Sequence, residues 1–107
     1  MDERRRFERI AIPEGAGVYC EDRFGRRLGP VRMLGRGGLL LQTQEHFRDG
    51  SIQQLTLVDQ TEDIRRPVRL IVRYTQAAGV GFEFVGLDPD VAVEIGVIIG
   101  RYYSSAK

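Results

Sequence analysis

The sequence predicts an all-β fold, a small antiparallel barrel finished by one α-helix. Three observations carry this prediction. Short runs of alternating or continuous apolar residues recur from Ala16 to Val85, separated by turns rich in Gly, Pro and Asp. The period then changes, with Leu87, Val91, Ile95, Ile98, Ile99 and Tyr102 spaced three or four residues apart. At 107 residues the chain is sized for one core and not two, so five or six short strands are expected to close on themselves and remove their edges.

The chain opens on Arg4-Arg5-Arg6-Phe7-Glu8-Arg9. Residues 1–12 are expected to form a flexible arginine segment ahead of a barrel domain at 13–107. Guanidinium groups are permanently charged and planar, so they suit bidentate contact with phosphate or stacking on a base. An anionic ligand is the leading expectation, and a solvated basic tail the alternative. Asp2, Glu3 and Glu8 dilute the local field, so geometry should matter more than total charge. The spacing Arg5-Arg6-x-x-Arg9 can surround a compact ligand if the segment wraps back over the domain, with Phe7 and Ile10 as apolar anchors.

Pro13 biases Ile12 away from helix, and Ala16 to Glu21 then reads as a strand. Asp22 to Arg27 is a hairpin-like connection with Gly25 available for a positive φ; Arg23, Arg26 and Arg27 there are expected to face solvent. Val31 to Leu34 leads into the turn Gly35-Arg36-Gly37-Gly38, and Leu39 to Thr43 follows as a strand. Three glycines in four positions require either unusual dihedrals or a close approach. The turn lacks the Gly-Lys-Ser/Thr of a phosphate loop and no helix follows; it can still present backbone amides to an anion, with Arg36 beside them. His46 to Gly50 is a connection and Ser51 to Val58 a strand. Asp59, Glu62 and Asp63 read as a solvated turn. Pro67 is expected to start the strand Val68 to Tyr74, with Val68, Leu70 and Val72 on the core face and Arg69 and Arg73 on the other. Val80 to Val85 is the last strand, its Val80, Phe82 and Phe84 facing the core.

A helix is expected from about 88 to 103. Asp88 is a capping residue, Pro89 fits the first turn, and Leu87 can staple against Ala92. Gly96 and Gly100 each cost roughly 1 kcal/mol of helix propensity, which suggests close packing there, on the barrel or against a second subunit. Val93 and Val97 lie off the main stripe and leave room for self-association.

Formal charge is +1 and pI about 7.9, so there is no general polyanion field. Single-stranded nucleic-acid binding, which Arg23, Arg26, Arg69 and Arg73 with Phe24 and Tyr74 would serve, is disfavoured on that ground and because the aromatics form no evident stacking platform. One cysteine, Cys20, and one histidine, His46, give little acid–base or metal-ligating machinery; neither an enzyme, a metal nor a cofactor is expected. Cys20 cannot form an intrachain disulfide, which suits the cytoplasm. No run is long enough to span a bilayer as a helix. Monomer and homodimer both remain open.

On these residues the chain resembles the PilZ domain family. Arg5-Arg6-Phe7-Glu8-Arg9 matches that family's Arg-Arg-x-x-Arg segment. Met33 to Gly38 occupies the place of its Asp-x-Ser-x-x-Gly segment, and Gly79-Val80-Gly81-Phe82-Glu83-Phe84 is similar to its late glycine-containing strand. The resemblance implies a six-stranded barrel with a C-terminal helix and a cytoplasmic receptor for cyclic di-GMP. It assigns Arg5, Arg6 and Arg9 to the ligand's phosphates and guanine, and places Met33, Gly35, Arg36 and Gly38 in the second part of the site. Met33 stands where the family has Asp, and Gly35 where it has Ser; Gly38 is kept, and Arg36 is expected to supply a substitute contact. The expected mechanism is ordering of Arg4 to Arg9 over the barrel, which changes a surface seen by a partner protein. The competing expectation is a degenerate member that binds no nucleotide and acts through protein contacts, using Leu39 to Leu41 or the helix.

Overall fold

A computed structural model describes residues 9–103. Arg4, Arg5, Arg6 and Phe7 therefore lie outside the described residues. The elements are β1 (Arg9–Ala11), β2 (Val18–Glu21), β3 (Arg27–Gly35), β4 (Gly38–Leu41), β5 (Ile52–Asp59), β6 (Ile64–Gln76), β7 (Gly79–Phe84) and α1 (Pro89–Tyr103). Strands β3, β2, β5, β6, β7 and β4 pair antiparallel in that order, and β4 pairs back to β3. Six strands thus close into the expected barrel. β3 meets β4 through Val31 to Leu34 on one edge; on the other it meets β2 through Arg27 to Pro30 and then β1 through Met33 to Gly35. β1 takes over the edge that β2 leaves.

Alternation fills the interior. Leu34, Leu39, Leu41, Leu70, Val72 and Phe82 are fully buried and join one core with Ile95 and Ile98 of the helix. The helix begins as its cap predicts, with the Asp88 carbonyl accepting from Ala92 N at 2.9 Å. It buries Val91, Ile95, Ile98 and Tyr102 against the barrel, nearest β1 and β3. Val93 and Val97 are exposed, as their place off the stripe requires. Among the described residues no helix is long and apolar enough to cross a membrane.

Three expectations change. β6 starts at Ile64, so Pro67 lies inside a strand rather than at its head. Val72 exchanges hydrogen bonds with the segment leading into β5, and alternation turns the nitrogen of residue 67 the other way. The β7 ladder reaches only Leu70, opposite Phe84, so the missing Pro67 N–H falls where no strand needs it. Asp59 is 0 % exposed instead of solvated. Its carboxylate takes Arg101 Nη1 at 2.9 Å and Thr61 N at 3.1 Å, while Arg101 Nη2 lies 2.7 Å from Glu62 Oε1. The pair ties the end of α1 to the β5–β6 hairpin. Lastly, a Cβ at Gly96 or Gly100 would meet nothing within 4 Å, so these glycines serve no close approach of the helix to the barrel.

Candidate functional site

The site grows from the register of two strands. Arg9 lies opposite Gly35 and Ala11 opposite Met33, and directly opposed residues share a face of the sheet. Ile10 and Leu34, between them, pack into the core, so Arg9, Gly35 and Met33 occupy the outer face. The same alternation places Gly38 and Leu40 on the outer face of β4, and Gly81 and Glu83 on that of β7, since Leu39 pairs with Phe82 and both point inward.

Arg9 crosses this outer wall. Its Nη2 donates to the Phe82 carbonyl at 3.0 Å and its Nη1 to the Tyr74 hydroxyl at 3.2 Å. Gly38 makes the crossing possible. A Cβ there would lie closer than 3.0 Å to the Phe82 carbonyl oxygen and 2.8 Å from Arg9 Nη2. Gly81 does the same for Tyr74, whose ring lies across it so closely that a Cβ would overlap the ring carbons. Of the two options the sequence left for the glycine turn, Gly38 takes close approach; its φ is not positive.

A second layer of charge holds the wall. Arg73 Nε donates to Glu83 Oε1 at 2.8 Å. That hydrogen bond, with a smaller contribution from the Arg9 charge, holds the Glu83 carboxyl below its ordinary value. Glu83 therefore stays ionised at neutral pH and faces Arg9 as a counter-charge. Arg9, Glu83 and Phe84 line a groove of about 270 Å³ together with Arg36, Gly37 and Leu87. Arg36 is exposed on the two-residue turn between β3 and β4, and the Gly37 carbonyl is taken by Phe84 N at 2.9 Å. Arg36 and Leu87 also border a second groove of about 450 Å³ along the helix. Chemically, the wall offers two guanidinium groups on one groove. The two hydrogen bonds of Arg9 do not exhaust its fork of donors, and among the described residues Arg36 makes no ion pair.

The sequence-predicted residues are thus partly gathered. Arg9, Gly35, Arg36 and Gly38 come together, and Met33 lies two positions along the same face from Gly35. Arg5 and Arg6 lie outside the described residues. Arg23, Arg26 and Arg69 line a different groove, with Phe24. Sequence reasoning missed Tyr74, Gly81 and Glu83 as parts of this wall. A signal existed for Gly81, because a glycine on the outward face of a strand whose neighbours Val80 and Phe82 point inward marks a close approach. Nothing local marks Tyr74; a bulge between Val72 and Tyr74 resets its register against β7.

Comparison with known proteins agrees with this architecture. No curated protein matches the chain in sequence. Among solved structures, the K. pneumonia MrkH–c-di-GMP complex shares the fold, with a TM-score of 0.74 at 16% sequence identity over 98% of this chain and 55% of that one. The chain therefore spans about half the length of that protein. The family model for the PilZ domain matches residues 3–100, the whole barrel and most of its helix, and on that match the chain belongs to the PilZ domain family.

Proposed function

We propose that the chain is a receptor module for cyclic di-GMP, with Arg5, Arg6 and Arg9 taking the ligand's phosphates and guanine and Arg36 meeting it from the β3–β4 turn. The observation that carries this reading is the pre-set position of Arg9. Two hydrogen bonds and a glycine-lined track hold it on the outer wall beside Arg36, so a ligand need not order that side chain from scratch. Family membership and a fold neighbour solved as a c-di-GMP complex support it. Binding orders the arginine segment over the barrel, and a partner protein reads the altered surface.

One observation favours a second reading, a module that binds no nucleotide. The face beside Arg9 presents Met33 and Gly35, which offer neither the carboxylate nor the hydroxyl that the family uses for guanine. Two such absent hydrogen bonds cost about 1 to 3 kcal/mol each when the ligand's groups stay buried. Calorimetric titration with cyclic di-GMP separates the readings. Saturable heat that Arg5→Ala and Arg9→Ala each abolish is the expected result. Absence of heat at high micromolar ligand refutes the receptor reading, and binding that survives both substitutions refutes the assigned residues. The double change Met33→Asp, Gly35→Ser should tighten binding; unchanged affinity would mean that Arg36 or backbone groups already meet the base.

A further inference from the structure

We infer that the β2–β3 hairpin presents a preformed docking site for an acidic, apolar-bearing peptide segment of a partner protein, separate from the Arg9 wall. The observation is an aromatic side chain held out in solvent by a rigid turn. Phe24 is 84 % exposed at the tip of the hairpin. The tip is not loose: Asp22 Oδ1 accepts from Phe24 N and from Arg26 N, each at 2.9 Å. Gly25 adopts φ +88°, its N–H meets the Asp22 carbonyl at 3.0 Å, and Asp22 N meets the Arg26 carbonyl at 2.8 Å. Such a tip loses little entropy when a partner covers it.

Phe24 is not an isolated surface residue. It borders a groove of about 420 Å³ that also contains Leu28, Phe47 and Ile52, and Ile52 is itself 53 % exposed. Phe47 anchors the floor through an edge-on contact with Phe82 of the core, centroids 5.4 Å apart. A groove with an aromatic rim, an aliphatic wall and a fixed floor matches the anchors on which interface energy concentrates.

The charges select the occupant. Arg26 is already satisfied by Glu45 Oε1 at 2.8 Å and Asp22 Oδ2 at 3.3 Å. Both acidic residues of the groove are thereby consumed. Among the described residues, Arg23, stacked on Phe24 at 5.3 Å, and Arg69, also lining the groove, have no carboxylate partner. What remains is a mixed cleft, apolar at Phe24, Leu28, Phe47 and Ile52 and polar at Gln53 and Gln54, with two guanidinium groups left over that suit a segment carrying a large apolar side chain between carboxylates. A nucleic-acid strand fits less well, because Arg23 covers one face of the single exposed ring and the groove carries Asp22 and Glu45 in its lining. The inference does not depend on nucleotide binding, since no residue of this groove belongs to the Arg9 wall.

Selection of random displayed peptides on the full chain tests it, with Phe24→Ala as counter-target. Far-UV circular dichroism should show Phe24→Ala folded, given that its side chain packs on so little. Expected are recovered peptides that combine Asp or Glu with Leu, Ile or Phe and lose at least about tenfold in affinity on Phe24→Ala and on Arg69→Glu. Recovery of no peptides above the counter-target, or of basic ones, overturns the inference. So does oligodeoxythymidylate binding that depends on Arg23 and Arg69 in the absence of peptide enrichment. If cyclic di-GMP gives no heat yet such peptides are recovered, only the receptor reading fails.

Discussion

Gly38→Ala puts a methyl group where the barrel has room for none. The obstacle is backbone: the Cβ would lie closer than 3.0 Å to the Phe82 carbonyl oxygen, and Gly38 is paired in register with Glu83 of β7. No rotamer change relieves that overlap, so β4 must move away from β7 at the point where Arg9 docks. Overpacking of this kind costs about 1 to 3 kcal/mol, and loss of the Arg9 bond to the Phe82 carbonyl adds about 1 kcal/mol. A destabilisation of about 2 to 4 kcal/mol should lower the urea midpoint by roughly 1 to 3 M at a slope typical of a small domain. Gly81→Ala is the informative companion. Its Cβ meets the Tyr74 ring, a side chain at the rim that can swing away. It should cost less stability than Gly38→Ala while still freeing Arg9 from Tyr74. Urea unfolding followed by circular dichroism reads both. A Gly38→Ala midpoint within error of the parent would show that β4 shifts freely from β7, and would refute the account of Gly38 as the track for Arg9.

Three further outcomes follow from other parts of the fold. Gly96→Ala should stabilise by about 1 kcal/mol, because its Cβ enters open space on the helix; thermal denaturation showing a loss would mean that this glycine is needed for a contact outside the described residues. Arg101→Met should destabilise by about 3 to 5 kcal/mol, since it leaves the fully buried Asp59 carboxylate without its cation; the double change Arg101→Met, Asp59→Asn should recover much of that loss, and its failure to do so would refute the buried-charge explanation. Cys20 is buried and its thiol is pushed up to about 12 by desolvation, so thiolate is scarce near neutral pH. Iodoacetamide should label it in denaturant and not in the native state, and rapid native labelling would show that β2 opens.

Much of the fold was legible in the chain. The helix followed from Asp88-Pro89 and the stripe Val91, Ile95, Ile98, Tyr102, because a three-to-four residue period can be buried on one side only as a helix. The strands followed from alternation and from the glycines that separate them. Arg9, Arg36 and Gly38 were legible as candidate site residues through their spacing within family-like segments. Pro67 and Asp59 were misread for a shared reason, that local propensity judges a residue without its neighbours. Proline is excluded from a strand only where its N–H is needed, and β7 ends short of it. Aspartate marks a solvated turn only where no cation waits, and Arg101 arrives from a helix 42 residues away in sequence.

Periodicity, chain length and residue chemistry suffice to say that one small barrel forms, that a helix packs against it, and that arginines precede its first strand. Which groups meet Arg9 depends instead on how the strands pair. Its partners Tyr74 and the Phe82 carbonyl lie 65 and 73 residues away, and barrel closure through the β3–β4 and β4–β7 pairings brings them to one wall. Gly38 and Gly81 acquire their purpose in the same way: a missing side chain has meaning only once another residue occupies the space it leaves.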